Sequence, residues 1–114
     1  SIMEKFMFIF QSNVTGNKPS PEQMQAIMGK WMAWIGELSA AGKYVSGEPL
    51  ALGGKLVSGS DKMVTDGPYV EGKEIVGGYF IVNAADYDEA AELSKGYPDF
   101  NTGGSVQIRQ ITKM

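Results

Sequence analysis

The sequence predicts an α+β fold in which two helices cover one face of an antiparallel sheet. Three observations predict it. Short apolar runs of strand length alternate with two segments of helical periodicity, in the order strand, helix, strands, strand, helix, strand. The 114 residues make one domain, spanning 1–114, and leave no room for a second. With 43% of residues apolar and 20% charged, the chain can bury a core without disulfide or metal staples.

Phe6-Met7-Phe8-Ile9-Phe10 reads as the first strand, because aromatic and branched side chains on both parities suit a pleated ribbon covered on both sides. Gly16, Pro19 and Pro21 then break it. Ser20 stands as an N-cap, Pro21 at the first helical position and Gln23 where a capping box takes its partner, so a helix starts there. Met24, Ile27, Met28, Trp31, Ile35 and Leu38 follow at helical spacing, widened by Met32 and Trp34, and Gly42 closes the helix as a C-cap. Ala26, Gly29, Ala33, Gly36 and Ala40 line its other side, either a plain solvent face or a place where another backbone comes close. Residues 43–46 and 55–57 are the next strands, punctuated by Gly47-Glu48-Pro49-Leu50 and Gly53-Gly54, and Met63-Val64-Thr65 is a short further one.

Gly78-Tyr79-Phe80-Ile81-Val82 is again apolar on both parities. Asp86 and Glu89 at capping distance open a second helix that Gly96 and Pro98 close. Residues 105–111 form the last strand, where Val106 and Ile108 alternate with Gln107 and Arg109. A ferredoxin-like topology is the simplest match to this order. Helices can cover only one face of such a sheet, so the doubly apolar central strands call for a homodimer whose sheets face each other.

Composition excludes much chemistry. Lys plus Arg is 10 against 13 for Asp plus Glu, a net charge of −3 and the wrong sign for a nucleic-acid binder. No Cys and no His means no thiolate, no imidazole base, no Ser-His pair and no metal site built on either, so neither metal nor cofactor is expected. The N-terminal apolar run is too short for a membrane span or a signal, so the expected address is cytoplasmic.

Gly67-Pro68-Tyr69-Val70-Glu71-Gly72-Lys73 fits a phosphate-loop pattern only by chance. Pro68 removes an amide donor, Glu74 stands where a Mg²⁺-binding hydroxyl belongs, and a strand follows instead of a helix. Asp66-Gly67-Pro68-Tyr69 reads as a turn whose neighbours Glu71, Lys73 and Glu74 form either a solvated charged loop or the rim of a site. Parity puts Arg109 on the face away from Val106 and Ile108; if a partner sheet covers that face, Arg109 needs an anion, from Asp66, Glu71 or a ligand. Tyr79 could supply a hydroxyl to the same cavity.

These residues also carry a family resemblance. Gly47-Glu48-Pro49-Leu50, Asp66-Gly67-Pro68-Tyr69, Glu71 with Lys73-Glu74, Gly77-Gly78-Tyr79, Asp88-Glu89-Ala90, Pro98 and Gly104-Ser105-Val106 through Arg109 together resemble the DGPF branch of the YCII-related proteins, from the first strand to the last. The resemblance implies a dimeric α+β barrel of two ferredoxin-like subunits with a cleft as candidate active site. Related domains occur joined to sigma-factor-like proteins, which implies a regulatory role. Tyr69 stands where the family usually has Phe, Gln107 where it often has Glu and Gln110 where Pro is common. Other branches pair a His with an Asp as a catalytic dyad, and this chain has no His.

The expected function is therefore that of a small-molecule-binding protein or enzyme with a cleft lined by Asp66, Tyr69, Glu71, Tyr79 and Arg109. Any catalysis would be carboxylate acid–base chemistry. The alternative is a non-catalytic dimeric accessory module in transcriptional regulation.

Overall fold

The computed structural model describes residues 2–13, 19–67 and 74–114. Their elements are β1 (Glu4–Asn13), α1 (Pro21–Ala40), β2 (Tyr44–Pro49), β3 (Lys55–Ser58), β4 (Met63–Asp66), β5 (Glu74–Ala84), α2 (Tyr87–Ser94) and β6 (Ser105–Gln110), with a 3₁₀ turn at Phe100–Thr102. Four strands form an antiparallel sheet in the order β2-β5-β1-β6, and β3 and β4 pair as a separate two-stranded sheet. The four-stranded order is that of a ferredoxin-like sheet, and the two strands with doubly apolar sequence, β1 and β5, are its centre.

Strand alternation sorts the side chains. Phe6, Phe8 and Phe10 of β1 and Phe80, Val82 and Ala84 of β5 are buried beneath the helices. Trp34 of α1 stacks on Phe8 with ring centroids 6.2 Å apart, and its indole N–H donates to the Leu93 carbonyl at 3.1 Å, tying α1 to the end of α2. Phe10 meets Phe80 edge-on at 4.9 Å. The opposite parity, Met7, Ile9, Tyr79 and Ile81, lies half-buried on the face away from the helices, beside exposed Gln107 and Arg109.

Local chemistry sets the helix ends as expected. The Ser20 hydroxyl accepts from the Gln23 N–H at 3.1 Å while the Gln23 side chain accepts from the Ser20 N–H at 2.8 Å. Asp86 caps α2 through the Glu89 N–H at 2.9 Å. The cap of α1 is Ala41, and Gly42 follows one residue later with a left-handed φ of 73°. The small band Ala26, Gly29, Ala33, Gly36 and Ala40 is exposed, and a Cβ added at Gly29 or Gly36 would meet nothing.

Three strands of the main sheet outrun the expectation, and β1 runs Glu4–Asn13 where the sequence marks only 6–10. β2 continues through Gly47 and Glu48 to Pro49 because the strand is an edge, where a missing N–H is tolerated. β5 starts at Glu74, and its pairing with β1 slips beside Phe10, where Gly78 and Val76 oppose consecutive residues and Gly77 is the extra one. Among the described residues no helix is long and apolar enough to cross a membrane.

Candidate functional site

A cavity of about 430 Å³ opens between α1 and the β2–β5 edge of the sheet. Its helical wall is Met24, Ile27, Met28, Trp31, Met32 and Ile35. Met24, Met28 and Met32 recur four residues apart, one step round the helix from the Trp34 and Leu38 line that seals the core, so they overhang the sheet edge instead of entering it. They are 45–62% exposed, with unbranched side chains able to repack around a guest.

Phe10, Phe80, Gly47 and Gly78 form the sheet side. Gly47 is required there: a Cβ would run into the Phe80 ring and lie 2.8 Å from the Tyr79 carbonyl oxygen. The polar groups of the wall are Ser12, Tyr44, Glu48, Tyr79, Tyr97 and Asp99, and no Lys or Arg lines it among the described residues. Glu48 and Tyr79 are cross-strand partners on the parity away from Phe80, so they touch the cavity at its rim and belong otherwise to the open sheet face, leaving Ser12, Tyr44, Tyr97 and Asp99 as the polar groups of the helical side.

Burial shapes the ionisation of these groups. It raises the Asp99 carboxyl above its ordinary value, opposed by the charge of Lys30. Tyr97 is pushed up to about 12, first by burial and then by the charge of Asp99. Tyr44 is raised by burial, then by Glu48 and Tyr79. Both phenols are thus neutral donors at physiological pH. Asp99 occupies the cap position of the 3₁₀ turn without making a side-chain cap hydrogen bond; its backbone carbonyl instead accepts from the Thr102 and Gly104 N–H groups. Its backbone is committed to the turn and its carboxyl to none of it.

The residues expected from sequence are dispersed. Tyr79 lines the cavity. Asp66 ends β4, exposed, with Lys55 Nζ at 2.5 Å. Arg109 is exposed on β6, on the sheet face opposite the helices, and β1 separates its strand from that of Tyr79. Tyr69 and Glu71, with the rest of the 68–73 segment that mimics a phosphate loop, lie outside the described residues. Asp66, Arg109 and Tyr79 are therefore not brought together within one chain. The methionine stripe was legible in the helical spacing as a flank of the core; Asp99, Tyr97 and Tyr44 carried no sequence signal, because each reaches the cavity from a different element. No group of three carboxylates able to hold a metal ion occurs among the described residues.

A family model for the YCII-related domain matches residues 5–114. No curated protein matches the chain.

Proposed function

The chain belongs to the YCII-related domain family, and on that premise we propose that it binds a small molecule in the cavity between α1 and the β2–β5 edge. The observation that carries the reading is the cavity itself: about 430 Å³, walled by methionines and aromatics, with a few polar groups converging on it. Among the described residues no Lys or Arg lines the wall beside its acid Asp99, and the charge of Lys30 reaches that carboxyl only from outside the lining. That favours a compact apolar ligand, neutral or cationic, over an anion. If the site is also catalytic, Asp99 is its best acid–base group, since burial raises its proton affinity.

Two copies, we further propose, meet across the open sheet face, where Met7, Ile9 and Ile81 supply apolar surface. Tyr79 and Arg109 lie on that face. A partner there would restore the expected role of Arg109 beside an anion. Within the family, Asp66-Gly67-Pro68-Tyr69 favours the DGPF branch.

A thermal-shift comparison tests the ligand reading, because a molecule that binds only the folded state raises Tm. Phenethylamine should raise Tm more than phenylpropionate, which shares its phenethyl group and opposes it in charge, and Asp99→Asn should remove the difference. Equal response to both, or a response that survives filling of the cavity by Met28→Trp, would overturn it. A folded protein indifferent to a broad panel of metabolites would favour the accessory module in transcriptional control.

A further inference from the structure

We propose that the β3–β4 hairpin is an arm which, in a two-fold dimer, lies against the second copy of the chain. This deepens the dimer proposed above and is independent of the ligand. All eight strand residues of the hairpin are exposed, and among the described residues its only sheet pairing is with itself. Leu56, Val57, Met63 and Val64 are 56–60% exposed, and Leu50 and Leu52 in the segment leading to it are 52% and 70% exposed. A lone two-stranded hairpin is marginal in water, so this much apolar surface needs cover.

Register shows that the cover must be two-sided. Val57 pairs with Val64 on the same face as the Lys55–Asp66 ion pair, while Leu56 and Met63 occupy the other face. The hairpin leaves the sheet from the end of β2, next to the cavity. Each face is mixed: Val57 and Val64 sit with Lys55 and Asp66, and Leu56 and Met63 with Ser58 and Thr65, so apolar side chains are exposed on both.

The size of the uncovered surface selects the occupant. The chain exposes 8068 Å², about 2,000 Å² more than size scaling gives for a globular protein of its 12.3 kDa mass. Its radius of gyration is 16.0 Å, against about 13 Å for a compact domain of this length. The excess falls within what obligate homodimers bury, about 1,000–2,500 Å² from each subunit. A two-fold contact also gives each arm the same counterpart on the other copy, one to one. Charge argues against the other large partners: across residues 55–66, Lys55 and Lys62 balance Asp61 and Asp66, leaving nothing to attract nucleic acid or an anionic membrane.

The chain contains no cysteine, so a single introduced thiol reports on the arm. Val57→Cys and Met63→Cys sample its two faces, and Ser60→Cys, in the exposed turn at its tip, serves as reference. The proposal expects a dimer by sedimentation equilibrium at micromolar concentration and maleimide labelling of both face thiols at least about ten-fold slower than at position 60. It also expects Leu56→Ser/Val57→Thr/Met63→Ser/Val64→Thr to yield monomers with unchanged far-UV circular dichroism. A dimer whose face thiols label as fast as the reference would overturn the arm and leave the sheet contact standing. A monomer, whatever its labelling rates, would overturn both.

Discussion

Gly96 shows how one missing atom positions the core. A Cβ there would overlap the indole ring of Trp34, which is buried and held by its hydrogen bond to Leu93, so the ring cannot retreat. Gly96→Ala should cost about 1–3 kcal/mol in urea unfolding by overpacking, and Phe8→Ala, which empties the facing site, about 3–5 kcal/mol. Asp99 behaves in the opposite sense. Its carboxyl is raised in the folded state, so the folded protein holds its proton more tightly than the unfolded chain does, and stability falls as pH rises through that interval. Asp99→Asn should therefore raise Tm at neutral pH and change little below the ordinary carboxylate range. Glu89 is the counter-example: the Lys43 ammonium at 3.0 Å and the Ala85 N–H at 3.0 Å hold it below the usual range. Its contribution is present above that range and lost as pH falls through the depressed value, so the Tm deficit of Glu89→Gln should vanish on acidification. Neither carboxylate could be singled out in advance. Asp99 follows a proline in a loop and Glu89 reads as an ordinary capping residue; only the fold brings Lys30 and Lys43 to them.

Elements were legible where local chemistry decides them. The Ser20 capping box and the Asp86 cap start both helices where the spacing predicts, and the apolar parity of β1 and β5 identifies the central strands. What sequence could not show was pairing. β2 outlasts its Gly-Glu-Pro punctuation because β5 supplies a ladder along it, and β5 shifts its alternation at Gly77 because β1 imposes a register. The same limit scattered the expected site. Asp66 and Arg109 looked like neighbours of Tyr79 only while strand order was open; with β1 between β5 and β6, and β4 outside the main sheet, they part. Helix α1 carries the cavity by the same logic, since its methionine row faces past the sheet edge. Filling that space with Met28→Trp should leave stability within about 1 kcal/mol, as a half-exposed position allows, while abolishing the Tm rise produced by phenethylamine.

At the scale of the whole molecule, the two proposed surfaces sit on different layers. The chain is a slab 18 Å thick, 46 Å by 43 Å across, with the cavity on the helical side and the open sheet face on the other. The methionines are distributed over both: Met24, Met28 and Met32 at the cavity, Met7 on the sheet face, Met63 on the arm. Methyl NMR of ¹³C-methionine-labelled protein, titrated with phenethylamine, reads every one of these places in a single spectrum and tests the cavity most directly. Binding there shifts the methyl signals of residues 24, 28 and 32 in a saturable manner and leaves those of 7 and 63 in place. Saturable shifts at 7 or 63, with the three α1 methyls unmoved, would contradict it.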